Sequence, residues 1–127
     1  MGLRVLIVED EAIIAFSLEA SLQDFGHQIA GIAGRLQNAM ELAKNLEFDV
    51  AIVDLKLHDE LSLPLADMLV EMGRPFVFTT GYGETELVAS YAKPMLAKPY
   101  DEKELMERLR QVMFEAGKHP EDGPVSG

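Results

Sequence analysis

The sequence contains no cysteine among its 127 residues. It can therefore form neither a disulfide framework nor a thiolate metal site. It also shows no leader of charged and then apolar residues, and no apolar run long enough to span a membrane. These absences favour a protein that folds on its hydrophobic core alone, and we expect it in the cytoplasm.

Basic residues are scarce as well, because 11 Lys and Arg stand against 22 Asp and Glu, for a net charge of -11. Such a charge repels the phosphates of nucleic acids and of anionic lipids. Arg108 and Arg110 are the closest pair of basic residues, so no basic cluster overrides this repulsion. We expect no nucleic acid and no membrane partner, and the charge favours a cationic ligand or another protein.

The residues that are present are typical of one globular domain, with 48% hydrophobic and 26% charged side chains. We expect this domain to occupy residues 1–117. The last ten residues contain two prolines and two glycines and show no apolar period. That composition predicts a disordered C-terminal tail over residues 118–127.

Short apolar runs alternate with stretches of helical periodicity. The runs predict strands over residues 3–8, 27–33, 48–53, 75–80 and 95–97. The periodic stretches predict helices over residues 12–25, 36–46, 64–72, 84–92 and 102–116. The fourth helix has few apolar residues to bury, and we expect it to be short or mobile. Strands and helices in this alternation indicate an α/β fold, a doubly wound sandwich around a parallel sheet.

The last predicted helix has the clearest start. Asp101 stands directly before it and Glu104 follows three residues later. An acid that can accept from the helix and an acid that can reach back to it make an acidic version of the capping box.

Polar residues close four of the predicted strands. The carboxyl ends of parallel strands meet at one edge of a sheet, where open α/β sheets bind their ligands, so we expect these side chains to lie together. They are Glu9 and Asp10 after the first strand, Asp54 after the third, Thr79 and Thr80 at the end of the fourth, and Lys98 after the fifth.

This set of side chains suits the chemistry of a phosphoryl group. Three carboxylates repel one another and require a cation, and a sparse set of oxygen ligands suits Mg²⁺ better than Ca²⁺. Lys98 and Thr80 would offer an ammonium and a hydroxyl to phosphoryl oxygens. A carboxylate at Asp54 can attack a phosphoryl donor to give an acyl phosphate, with Mg²⁺ and Lys98 neutralising the charge.

Four segments together resemble the receiver domain of two-component response regulators. In order they read Val-Leu-Ile-Val-Glu-Asp-Glu, Asp-Val-Ala-Ile-Val-Asp-Leu-Lys-Leu, Phe-Thr-Thr-Gly-Tyr-Gly and Ala-Lys-Pro-Tyr, and the resemblance covers about residues 3–116. It implies a flavodoxin-like (βα)5 sandwich with strand order 2-1-3-4-5. It also implies a phosphoryl donor, which is a phosphohistidine on a sensor histidine kinase or on a histidine phosphotransfer protein.

The resemblance further implies roles for the site residues. Asp54 would be the phosphoacceptor, Thr80 the switch hydroxyl and Lys98 the lysine that contacts the phosphoryl group. Such a protein is a phosphoacceptor that catalyses its own phosphotransfer and slow dephosphorylation, rather than an enzyme. The Lys98–Pro99 peptide bond is often cis in the family, as proline permits. The implied Mg²⁺ ligands are Glu9, Asp10, Asp54 and the backbone carbonyl of Lys56, with Asp10 preferred over Glu9 as the direct ligand.

The chain departs from the family's pattern at several positions. Met95 stands where receivers usually have a tyrosine or phenylalanine that acts as a rotameric switch. His58 stands where many have proline and Ser62 where many have glycine, so we expect a different loop there. Residues 78–82 are similar to a subgroup with a Phe-Ala-Thr-Gly-X-Tyr-like motif, in which Thr79 replaces the usual alanine. That subgroup is often single-domain and has a mobile fourth helix.

The output of such a chain is open at this stage. With no sequence left for an output domain, we expect a stand-alone receiver. It would signal by protein–protein interaction through the face of the fourth helix, fifth strand and fifth helix, or act as a phosphate sink. Between Thr79 and Thr80, alternation along the strand does not decide the switch residue, and the family match favours Thr80.

Two alternative functions remain. A small phosphohydrolase of the haloacid-dehalogenase type also uses an aspartyl phosphate and Mg²⁺. It needs a second Asp two residues after the nucleophile, where this chain has Lys56. A pseudo-receiver that only docks partners would not need phosphorylation of Asp54.

Overall fold

A parallel five-stranded sheet lies at the centre of the protein, as the alternation of elements predicts. The computed structural model describes residues 2–117. The sheet has the order β2-β1-β3-β4-β5, which confirms the predicted order 2-1-3-4-5, and neighbouring strands run parallel. The strands are β1 Arg4–Val8, β2 Gln28–Ala33, β3 Val50–Asp54, β4 Phe76–Thr80 and β5 Met95–Ala97.

Helices connect the strands and cover both faces of the sheet. The fourth is short, as predicted, and a single 3₁₀ turn over Ala89–Tyr91 continues it. The helices are α1 Ala12–Asp24, α2 Leu36–Asn45, α3 Leu63–Met72, α4 Thr85–Val88 and α5 Glu102–Glu115. The protein therefore has the flavodoxin-like doubly wound fold.

The hydrophobic core consists of two clusters, one on each face of the sheet. The cluster on the α1/α5 face joins alternate strand residues such as Ile7, Ile52 and Val77 to residues of α1 and α5. The cluster on the opposite face, the α2/α3 face, joins the intervening strand residues, including Val53 and Phe78, to α2 and α3. Each large apolar side chain buried in this way stabilises the fold by about 1.5–3 kcal/mol.

The central strand β3 is buried along its whole length. It lies between β1 and β4, where a strand must be apolar on both faces. The sequence predicts that Asp54 directly follows the strand. In the structure Asp54 is instead the last residue of β3, because it still pairs with Thr79 of β4. The acceptor candidate is thus part of the rigid sheet.

The loop after β3 also differs from expectation. Lys56–Leu57 and Glu60–Leu61 pair as a small antiparallel hairpin, with His58 in a left-handed conformation at φ 56°. The Lys98–Pro99 bond is cis, as the resemblance implies. The tail predicted over residues 118–127 lies outside the described residues.

Within residues 2–117, none of the helices combines the length and the apolar character that crossing a membrane requires.

The capping box at the start of α5 is confirmed. The backbone N–H of Glu104 donates to Asp101 Oδ1 at 2.8 Å, and the backbone N–H of Asp101 donates to Glu104 Oε1 at 3.2 Å. The two bonds satisfy donors that the first turn of a helix otherwise leaves unpaired.

We predict that Asp101→Ala lowers the free energy of unfolding by about 1 kcal/mol, because it removes one of these bonds and exposes the first turn. Urea unfolding of the purified protein measures the change. Glu102→Ala, one residue further along the exposed side of the same turn, is the control and should have a smaller effect. Equal effects of the two substitutions would contradict the cap's contribution.

Candidate functional site

Three carboxylates meet where β1 and β3 end. β1 and β3 are neighbours in register, with Val8 opposite Val53, so the residues that follow Val8 emerge beside Asp54. Oxygen atoms of Glu9, Asp10 and Asp54 lie within 4.8 Å of one another. Glu9 and Asp54 are buried, whereas Asp10 is partly open to solvent. The structure thus brings together the three acids that the sequence placed at this edge.

Lys98 joins this cluster from the far side of β4. Its Nζ donates to Asp54 Oδ2 at 2.9 Å and to Glu9 Oε1 at 3.3 Å. One ammonium therefore contacts two of the three acids, which makes Lys98 the centre of the local charge balance.

Backbone N–H groups hold two of the carboxylates in place. The N–H of Glu11 donates to Glu9 Oε2 at 3.1 Å, and the N–H of His58 donates to Asp10 Oδ2 at 2.8 Å. The left-handed conformation of His58 accompanies this second bond. The position of Asp10 thus depends on the hairpin after β3, a contact that no sequence pattern indicates.

Ser62 was noted in the sequence only as a departure from glycine. Its side chain is fully buried, and its hydroxyl donates to the backbone carbonyl of Asp54 at 2.8 Å. The bond ties the hairpin back to the end of β3. Ser62 is therefore a structural support of the site that sequence reasoning missed.

Burial and crowding change the acidity of these groups. Burial, reinforced by the charge of Asp54, raises the pKa of Glu9 from 4.5 to about 7. Burial also raises the pKa of Asp54, although the hydrogen bond and charge of Lys98 act in the opposite direction. For Lys98, burial is outweighed by the hydrogen bond with Asp54 and the nearby charges, which raise its pKa. The cluster therefore carries negative charge that one lysine does not fully neutralise.

Asp10 differs from the other two acids. Its partial burial favours the neutral acid, but the N–H of His58 and a hydrogen bond with Glu9 outweigh this and lower its pKa. Asp10 thus offers an ionised, partly accessible oxygen at the mouth of the cluster.

The donor set fits a hard divalent cation. All three side chains are carboxylates, and their oxygens are close enough to share an ion. Lys56, the fourth predicted ligand, lies in the hairpin with an exposed side chain. Its backbone N–H is close enough to the Asp54 carboxylate to oppose the rise that burial causes in the pKa of Asp54.

Three hydroxyls near the cluster are buried and have no hydrogen-bond partner among the described residues. They belong to Thr79, Thr80 and Tyr100. Thr80 alternates with Thr79 along β4 and so shares the α2/α3 face with Phe78, whereas Asp54 follows Ile52 on the α1/α5 face. In this structure the Thr80 hydroxyl therefore does not contact the carboxylates.

Tyr100 lies on the α1/α5 side, where its ring packs against the cluster of that face. Burial and the charge of Glu9 raise the pKa of its hydroxyl to about 12. The charge of Glu9 acts on Tyr100, so the acidic cluster influences this side of the sheet as well.

An aromatic side chain from outside the sheet lies near Met95. The ring of Tyr91 stands edge-on to Phe78 with the ring centroids 5.4 Å apart, and its hydroxyl donates to Asp67 Oδ1 of α3 at 2.7 Å. Met95 is half-buried beside them and pairs with Phe78 in the register of β4 and β5. Tyr91 is therefore packed against the core of the α2/α3 face.

An apolar groove of about 610 Å³ borders the cluster. Ile13, Ile14 and Leu18 of α1 form one wall, and Tyr100 and Leu105 form the other. Lys98 of the cluster also lines the groove. Ile13 is 83% exposed and Phe16, one turn further along α1, is 65% exposed. The acidic cluster thus opens beside an uncovered apolar helix surface.

The chain matches known proteins along most of its length. A family model described as the response regulator receiver domain matches residues 5–110. The chain is 29% identical over 119 residues to the phyllosphere-induced regulator PhyR of Methylorubrum extorquens, covering 90% of this chain and 45% of PhyR. It is 33% identical over 117 residues to the virulence transcriptional regulatory protein PhoP of Salmonella typhimurium, covering 87% of this chain and 52% of PhoP.

A solved structure shows the same arrangement. The solution structure of SdrG from Sphingomonas melonis superposes with a TM-score of 0.79 at 30% identity, covering 88% of this chain and 97% of SdrG. The chain spans about half the length of the curated relatives that it matches. The likeness to those longer proteins therefore concerns one part of each.

We predict that Glu9→Gln reduces the dependence of stability on pH in protein freed of metal by a chelator. The folded state holds the Glu9 proton more tightly than the unfolded state, so the contribution of Glu9 falls as the pH rises from about 4.5 to 7. The loss should amount to about 1–3 kcal/mol.

Urea unfolding at pH 5 and pH 8 measures this loss. The wild type should lose more stability between the two pH values than Glu9→Gln does. Glu41→Gln, an exposed acid of α2, is the matched control and should behave as the wild type. The same loss in all three proteins would show that Glu9 does not carry the effect.

Proposed function

Because the chain belongs to the family of response regulator receiver domains, we propose that it accepts a phosphoryl group on the carboxylate of Asp54. The observation that supports this most directly is the Asp54–Lys98 contact of 2.9 Å inside the cluster with Glu9 and Asp10. An acceptor oxygen, a cation for phosphoryl oxygens and acids for a metal ion thus lie in one place.

The proposed donor is the phosphohistidine of a sensor histidine kinase or of a histidine phosphotransfer protein. An Asp54 oxygen forms a bond to phosphorus while the bond between phosphorus and the imidazole nitrogen breaks. The nitrogen keeps the electron pair of that bond, and because the other ring nitrogen of the phosphohistidine carries a proton, the products are an aspartyl phosphate and a neutral histidine. Residues of this chain contribute positioning and charge rather than covalent chemistry.

Each residue of the cluster has a part in this reaction. Lys98 opposes the rise that burial causes in the pKa of Asp54, and it lies where it can follow the transferred phosphoryl oxygens. Glu9, Asp10, Asp54 and the backbone of Lys56 would hold Mg²⁺, with Asp10 as the accessible ligand. When bound, Mg²⁺ neutralises the negative charge that the phosphoryl group brings to the site.

Receiver domains are in general phosphoacceptors rather than enzymes, and we assign this chain the same role. It would catalyse its own phosphorylation and the slow hydrolysis that resets it. Nothing in the described cluster supports the alternative phosphohydrolase, because Lys56 occupies the position where that chemistry needs a second acid and its side chain is exposed.

The apolar groove beside the cluster supports a protein as the donor. A phosphohistidine that reaches Asp54 must bring its own helix or loop against α1, where Ile13 and Phe16 are exposed. Burying such side chains stabilises a complex with a protein donor. A small phosphate ester does not need this apolar surface.

The output of the phosphorylated form, in this proposal, is a protein–protein contact or the removal of phosphate from a donor. The receiver unit comprises residues 1–117. A downstream protein would bind the face formed by α4, β5 and α5, and the switch would work through Thr80 with Met95 in place of an aromatic residue.

We predict that acetyl phosphate with Mg²⁺ adds one phosphoryl group to the wild type and none to Asp54→Ala, because Asp54 is the acceptor. Mass spectrometry of the intact protein measures the modification. Asp59→Ala, which removes an exposed acid of the nearby hairpin, is the control and should leave phosphorylation intact. A phosphorylated Asp54→Ala, or a wild type that accepts phosphate from no donor, would refute the proposed function.

We predict that Ile13→Asp slows phosphorylation by a phosphorylated histidine phosphotransfer protein about tenfold, because a charge replaces an apolar contact of the donor. Phosphorylation by acetyl phosphate should not change, since this small donor does not need the α1 surface. Val70→Asp, at a half-exposed apolar position of α3, is the matched control. Equal slowing with both donors would show damage to the cluster instead of lost docking.

A further inference from the structure

One buried hydroxyl beside the acceptor has no part in the proposed reaction. Thr79 is only 1% exposed, and its Oγ1 has no hydrogen-bond partner among residues 2–117. A buried hydroxyl without a partner destabilises a fold, and an apolar residue of the same shape would avoid this.

Strand alternation places Thr79 on the face of the acidic cluster. Val77, two residues earlier in β4, belongs to the core of the α1/α5 face, whereas Phe78 belongs to the opposite core. In β3, Ile52 lies on the α1/α5 face, so Asp54 is on that face too. Thr79 and Asp54 are also direct partners in the register of the two strands.

The Asp54–Lys98 ion pair crosses β4 on this same face. Thr79 pairs on its other side with Leu96, which precedes Lys98 by two residues and belongs to the core of the α1/α5 face. β4 lies between β3 and β5, so the Lys98 side chain passes over the end of β4 to reach Asp54 Oδ2 at 2.9 Å. Thr79 therefore lies in the strand that the ion pair crosses, on the side that faces the pair.

We propose that Thr79 is a positioning residue whose hydroxyl gains its hydrogen bond at the Asp54–Lys98 pair when Asp54 is phosphorylated. This inference rests on the proposed function. Before phosphorylation, Lys98 donates to the carboxylates of Asp54 and Glu9. A phosphoryl group offers Lys98 more strongly charged acceptors. When the ammonium moves to them, the carbonyl oxygen that remains on Asp54 loses a competing donor, and the Thr79 hydroxyl donates to it instead.

In this role the Thr79 hydroxyl destabilises the unphosphorylated protein, where it has no partner, and stabilises the phosphorylated protein, where it gains one. Thr79→Val removes the hydroxyl and keeps the shape, while Thr79→Ser keeps the hydroxyl. Beryllofluoride with Mg²⁺ serves as the phosphoryl mimic, its affinity is measured by NMR titration, and thermal unfolding is followed without the mimic.

Thr79→Val should bind beryllofluoride about 3- to 10-fold more weakly than the wild type, which corresponds to the loss of one hydrogen bond. Without the mimic it should unfold a few degrees higher, because no buried hydroxyl remains unpaired. Thr79→Ser should restore most of the affinity. A residue that only packs would not move affinity and stability in opposite directions.

Thr85→Val makes the same chemical change at an exposed position of α4 and is the control, for which neither quantity should change. Wild-type affinity in Thr79→Val would overturn the proposal. So would a lower unfolding temperature of Thr79→Val without the mimic, since the hydroxyl would then already be bonded. If the wild type itself failed to bind beryllofluoride, the proposed function would fall, and this inference with it.

Discussion

Incompletely neutralised charge at the edge of the sheet is the constraint on which the rest of the structure depends. Glu9, Asp10 and Asp54 repel one another, and among the described residues Lys98 is the only lysine or arginine hydrogen-bonded to any of them. The chain tolerates this because the strands that carry the acids are fixed by apolar cores on both faces of the sheet. Hydrophobic burial elsewhere thus stabilises an arrangement that is electrostatically unfavourable by itself.

Much of the fold follows from local sequence patterns. The apolar runs, the helical periods and the Asp101–Glu104 cap are each specified by residues close together in the chain, and the structure has all of them. The meeting of Glu9 with Asp54 also followed, because parallel strands must end at one edge. The strand order came from a family resemblance, since periodicity does not determine which strands become neighbours.

Other features depend on contacts that sequence patterns do not encode. The hairpin after β3 pairs only two residues with two, too few to show an alternating pattern. Ser62 acts through a bond to a main-chain carbonyl, and any buried serine would look the same in the sequence. The faces of the sheet on which Thr79 and Thr80 lie follow from the core clusters that Val77 and Phe78 join, and these clusters form only in the folded sheet. Tyr91 packs on Phe78 because the 3₁₀ turn over Ala89–Tyr91 brings it there. In this region the sequence pattern singles out only Met95.

Hydrogen bonds hold the main chain around Asp54 in place. Ser62 bonds to the carbonyl of Asp54, the N–H of Leu55 donates to the carbonyl of Thr79 at 3.0 Å, and the N–H of Ser62 donates to the carbonyl of Leu55 at 2.7 Å. Such a residue can respond to a new charge only by rotating its side chain. Asp54 therefore acts as a fixed reference point, and under the proposed function any change of shape on phosphorylation would begin in the neighbours that move around it.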